Sequence, residues 1–97
     1  MKLRLAPRAA QDLASIADYI RTRNPSAAQH VRATIFQTLQ NLILFPRAGQ
    51  EQTIGGVRKL VTPRYSYLIY YTVDEAADEI VVVAIQHPAR QREYEDL

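Results

Sequence analysis

The chain has 97 residues, 47% of them hydrophobic and 23% charged, the proportions of a globular protein and enough for one domain with one core. It has no cysteine and only two histidines, which excludes disulfides, thiolate metal sites and cysteine nucleophiles and argues against a zinc site. No apolar run of signal-peptide or membrane-spanning length occurs, so a cytoplasmic protein with no membrane partner is expected; at a net charge of +2, position matters more than sum.

In chain order, Lys2 to Ala6 alternates polar and apolar residues and predicts a short strand. Pro7 then offers a helix start, where its missing N–H is no loss. From Pro7 to Arg23, Leu13, Ile16, Ala17 and Ile20 form one apolar stripe at helical spacing, with Asp12, Asp18 and Arg21 off it. Asn24-Pro25 stops this helix and starts the next, because Asn can cap and Pro can occupy the first position. The two helices should form an antiparallel hairpin. In the second, Ala28, Val31, Ile35, Leu39 and Leu42 step by three and four residues until Phe45-Pro46 ends it.

Arg47 to Gly56 holds all three glycines without periodicity and reads as a loop. Val57 to Thr62, Tyr65 to Val73 and Ile80 to Gln86 are rich in Val, Ile, Tyr and Thr and read as strands. Pro63-Arg64 and the acidic turn Asp74 to Glu79 separate them. The order β-α-α-β-β-β predicts a single α+β domain over residues 1–97. In it, an N-terminal strand and a helical hairpin pack on one face of a small, mostly antiparallel sheet. The first strand would lie along an edge or be inserted, and Leu13, Ile16, Ile20, Val31, Ile35 and Leu39 would be core.

The cationic residues of the second half, Arg47, Arg58, Lys59, Arg64, His87, Arg90 and Arg92, fall mostly at strand ends or just after the last strand. Acidic residues gather instead in the turn Asp74 to Glu79 and the tail Glu93 to Asp96, so the small net charge hides a bipolar distribution. A basic patch of this kind suits phosphate backbones or acidic protein surfaces, and the alternative is an ordinary solvated surface. Alternation sends Tyr65, Tyr67 and Tyr71 to one face of their strand and Tyr70 to the other, where they cover a half-buried sheet or, beside arginines, stack bases. His87, with arginines three and five residues on, would tend to be neutral and so suits a base or a hydrogen-bonding role. His30 reads as a surface residue. There is no GxGxxG, P-loop, HExxH or GxSxG, Gly55-Gly56 is a turn, and Asp12 and Asp18 do not share a helix face as a dyad would. No cofactor or metal is expected.

Taken together, Ala10-Gln11-Asp12-Leu13 with Ile16, Tyr19 and Ile20, then Asn24 to Ala28, Leu42 to Pro46 and Gly49, resembles the first half of ParE-type toxins of the RelE/ParE superfamily. Gly56 to Leu60, the strand Tyr65 to Tyr71 and the ending Ile85-Gln86-His87-Pro88-Ala89-Arg90 resemble the second half of the same family. The resemblance implies a cytoplasmic toxin of a type II toxin–antitoxin pair, neutralised by a cognate antitoxin whose arm wraps helices and sheet; no residue is singled out for that contact. ParE-type members poison DNA gyrase, and under this reading the chain is not an enzyme.

RelE-like relatives instead cut messenger RNA on the ribosome with a cluster of basic, acidic, His or Tyr residues. Arg64 and His87 match, in approximate position, the arginine and late histidine of the YoeB-like ribonucleases and would be catalytic under that alternative. Pro88 stands where those enzymes have a late tyrosine, Glu51 lies in a loop that does not align well, and Lys59 is a single lysine where several relatives use more. The set is incomplete, which favours gyrase, with Arg58, Arg90 and Arg92 as docking residues. A non-toxic binding module sharing the fold is a third reading.

Overall fold

A computed structural model of the chain describes residues 1–87. Along it run β1 (Lys2–Leu5), α1 (Pro7–Arg23), α2 (Pro25–Leu44), β2 (Gln50–Glu51), β3 (Val57–Val61), β4 (Leu68–Asp74) and β5 (Glu79–Gln86). The strands form one mixed sheet in the order β1-β5-β4-β3-β2. β1 lies at an edge, parallel to β5, and the other neighbours are antiparallel.

The helical hairpin turns on one residue. The backbone N–H of Asn24 donates to Ile20 O at 2.7 Å and closes α1, while its side-chain Oδ1 accepts from Ala27 N at 3.1 Å and opens α2. Pro25 then takes the first position of α2, as expected. Arg21 and Arg23 in the last turn of α1 face the negative end of its dipole.

The main core lies between the hairpin and the sheet. Val31, Ile35, Leu39 and Leu42 of α2 meet Ile69 and Tyr71 of β4 and Ile80, Val82 and Ile85 of β5. The expected core residues of α1 are less covered: Leu13, Ile16 and Ile20 pack against this cluster only half-buried, and Ala9 alone in α1 is fully buried. α1 packs on β5 and α2 near the β1 edge, where less of the sheet extends beneath it.

On the opposite face Val57, Leu68, Tyr70 and Ala84 form a second cluster, with Val83 packed against it. Tyr67 and Tyr71 belong to the first cluster, Tyr65 packs on it, and Tyr70 belongs to the second, as alternation requires.

Three details differ from the sequence expectation. The glycine-containing loop includes β2, two residues paired with Lys59 and Arg58. The strand expected from Tyr65 begins at Leu68. Arg64 and Ser66 both have left-handed backbones, with φ of 74° and 59°, which no strand accommodates. Thr62 closes that turn instead, its Oγ1 accepting from Tyr67 N at 2.9 Å and its N–H donating to Tyr67 O at 2.8 Å. Finally, Tyr70 pairs with Ala84 but Tyr71 with Val82, so Val83 is the extra residue of a bulge and shares a face with Ala84.

Candidate functional site

The sequence-selected residues separate to the two ends of the sheet. At one end β5 runs out at Gln86, which pairs with Leu68, so the exposed His87 follows beside the Thr62–Tyr67 turn that carries Arg64. Its ring meets Tyr67 edge-on, with centroids 5.6 Å apart and planes at 80°. The Arg64 guanidinium lies 5.7 Å from the centre of the Tyr65 ring. α1 brings two further residues that the sequence did not single out as a pair: Arg23 stacks 3.8 Å above the ring of Tyr19, which is 58% exposed. Burial pushes the Tyr67 hydroxyl above its ordinary pKa, and Tyr19 nearby adds to the rise. Among the described residues neither Arg23 nor Arg64 forms an ion pair.

The other end is a fastened loop. Arg58, from the start of β3, donates through Nη1 to Gly49 O at 2.8 Å and to Arg47 O at 3.4 Å, and through Nη2 to Glu51 Oε1 at 3.2 Å. From β4 the Tyr71 hydroxyl accepts from Gly49 N at 2.7 Å and donates to Pro46 O at 2.8 Å. Burial raises the Tyr71 pKa, and the Gly49 amide and the Arg58 charge oppose that rise. Gly49 is required by close approach, since a Cβ there would lie 2.6 Å from the Tyr71 oxygen and 3.0 Å from Lys59 O. Beside this network an open cleft of about 730 Å3 is lined by Arg47, Glu51, Arg58, Asp74 and Glu75 among others, and Arg47 is ion-paired with Glu75.

Arg58 and Glu51 are therefore separated from Arg64 and His87 by most of β3, roughly 10 Å from Arg58 to Val61 alone at the usual strand rise. Lys59 lies between, half-buried and opposite Tyr70. Arg90 and Arg92 lie outside the described residues. His30 is exposed on α2, and Asp18 pairs with Arg21. Asp12 instead reaches across to β5, where its Oδ2 accepts from Ile85 N at 3.0 Å, and Arg8 sits 3.8 Å from the same oxygen. Its place off the apolar stripe had given no sign of this. Among the described residues no group of three or more His, Cys, Asp or Glu could hold a metal, and no helix is long and apolar enough to cross a membrane.

The family model for the ParE toxin of the type II toxin–antitoxin system, parDE, matches residues 3–92. The chain belongs to the ParE toxin family. This ParE-family toxin is similar to a structure described as a chromosomal ParDE TA system from P. aeruginosa, with a TM-score of 0.78 and 26% identity over 90% of this chain and 95% of that one. It also shares its α+β fold with the isolated E. coli RelE toxin, at TM-score 0.66 and 15% identity over 98% and 92% of the two chains. The intact E. coli RelBE toxin–antitoxin complex gives 0.63 and 15% over 88% and 93%. No curated protein matches the chain significantly.

Proposed function

We propose that this ParE-family toxin stops bacterial growth in the cytoplasm by poisoning DNA gyrase and is neutralised by a cognate antitoxin. The family match over residues 3–92 carries the reading, and the similar ParDE and RelBE structures are described as toxin–antitoxin assemblies. The geometry adds to it. A ribonuclease base must come within hydrogen-bond reach of its proton. Glu51 is paired with Arg58 at the far end from His87, and Asp12 is engaged with the Ile85 amide. Docking is assigned to Arg58, Arg90 and Arg92, and Arg58 also fastens the loop beside it. Induction of the chain alone should arrest growth, trap gyrase on broken DNA and switch on the DNA-damage response, and co-induction of the adjacent antitoxin gene should restore growth. Intact DNA beside transcripts cut within ribosome-bound codons would overturn this.

One observation favours the RelE-like alternative: Arg64 and His87 do stand at the same end of the sheet. Under it, Arg64→Ala and His87→Ala would each lower a measurable RNA cleavage by about a hundredfold or more.

A further inference from the structure

β1 stops short of β5. Its last pair is Leu5 with Val82, the Ala6 amide donates to Val82 O at 2.8 Å, and the chain then turns into α1. β5 continues through Gln86 with β4 on one side and, among the described residues, no strand on the other. On that open side the Ile85 N–H donates to the Asp12 carboxylate, 73 residues away in sequence. A helix side chain thus takes over where the strand ladder ends, two residues before His87.

At 3.6 residues per turn, Asp12, Tyr19 and Arg23 fall on one face of α1, two and three turns apart. The same face that carries the Asp12 contact therefore brings the Arg23–Tyr19 stack towards Tyr67, against which His87 packs. α1 and the sheet both contribute to this end of the molecule, and the Asp12–Ile85 bond is a polar contact that ties one to the other.

We propose that Asp12 is a positioning residue for target engagement, holding the end of β5 in register with α1 so that His87 and Tyr67 are presented at the same end of the molecule as the Arg23–Tyr19 stack. This rests on the reading of the chain as a growth-inhibiting toxin, but not on which target it has. Asp12→Asn keeps an oxygen that accepts from the Ile85 amide, Asp12→Ala removes it, and Asp12→Glu keeps the charge but displaces the acceptor by one methylene. Ile80→Ala, fully buried at the opposite end of β5 and five residues from Ile85, serves as a destabilised control away from the bond.

Three quantities would be read: the dose needed for growth arrest at equal soluble protein and, by nuclear magnetic resonance, the Ile85 amide exchange and the His87 and Tyr67 ring signals. Asp12→Ala should raise the dose about tenfold or more, speed the exchange and shift both ring signals. Asp12→Glu should do so in part, and Asp12→Asn should restore wild-type behaviour in all three. Ile80→Ala should leave the ring signals and the dose near wild type. Full potency of Asp12→Ala or Asp12→Glu, failure of Asp12→Asn to rescue, or an equal loss in Ile80→Ala would overturn the proposal. A wild-type chain that does not arrest growth would defeat the toxin reading. The ring signals would still decide the positioning role, and unshifted signals in Asp12→Ala would overturn it.

Discussion

Tyr71 shows how much one side chain can fix in a chain this small. Its ring is fully buried and its hydroxyl takes a proton from the Gly49 amide and gives one to Pro46 O, tying the end of α2's loop to the sheet. Tyr71→Phe keeps the ring and strands the buried Gly49 N–H, so it should cost about 1–3 kcal/mol in urea denaturation. A loss within error would show that the amide finds another partner. The same residue sets a pH dependence. Burial holds the folded pKa above the ordinary 10.0, so the phenol keeps its proton to higher pH when folded. Stability from that proton is whole below about pH 10 and falls away as pH rises through the folded value, and Tyr71→Phe should flatten that part of the alkaline unfolding curve. The sequence made the facing of Tyr71 legible, because strand alternation is local. It could not show what Arg58 does, since the carbonyls of Gly49 and Arg47 that hold the guanidinium lie in a loop with no period to read. The arginine expected to dock also fastens this loop through Nη1 and Nη2.

At the scale of elements, both helices, their single-residue junction and the three long strands were legible from spacing and from Asn24-Pro25. What escaped was decided by tertiary contact. β2 is two residues long, too short to show a pattern, and exists because β3 offers it an edge. Tyrosine's strand preference suggested a strand from Tyr65, but the left-handed residues Arg64 and Ser66 make a turn there. The bulge at Val83 lets two successive apolar residues face the same way, which strict alternation does not anticipate. Asp12 was legible as an acid off the stripe, yet its partner amide is on the last strand. The two apolar stripes looked equivalent in sequence and are not. Ile35→Ala removes a side chain with no exposed surface and should cost about 2–5 kcal/mol. Leu13→Ala, at a half-buried site on α1, should cost clearly less in the same denaturation experiment, because less apolar surface returns to water. Equal losses would mean that α1 is as fully covered as α2.

For the molecule as a whole, size and charge together shape its dependence on a partner. A chain of 97 residues buries a modest share of its surface when it folds and has little stability to spare. From Tyr19 to Gln50 the chain carries four arginines and no carboxylate; Asp18 and Glu75 from outside it pair with Arg21 and Arg47, which leaves Arg23 and Arg32, and in the same stretch Phe36, Ile43, Leu44 and Phe45 are exposed. Such a surface suits a partner that is both acidic and apolar, which is the chemistry we propose for the cognate antitoxin. A partner that binds only the folded chain adds about 2.7 kcal/mol at a hundred times its Kd. For a domain of this length that corresponds to a rise in Tm of about 10–20 °C. Thermal unfolding of the purified toxin, with and without antitoxin, checks this at low and at high salt. The charge contribution is screened as ionic strength rises, so the shift should shrink between about 0.05 and 0.5 M salt without vanishing. What remains measures the apolar contact. A salt-independent shift would remove the arginines of residues 19–50 from the interface, and the absence of any shift at saturating antitoxin would remove the antitoxin from this chain's function.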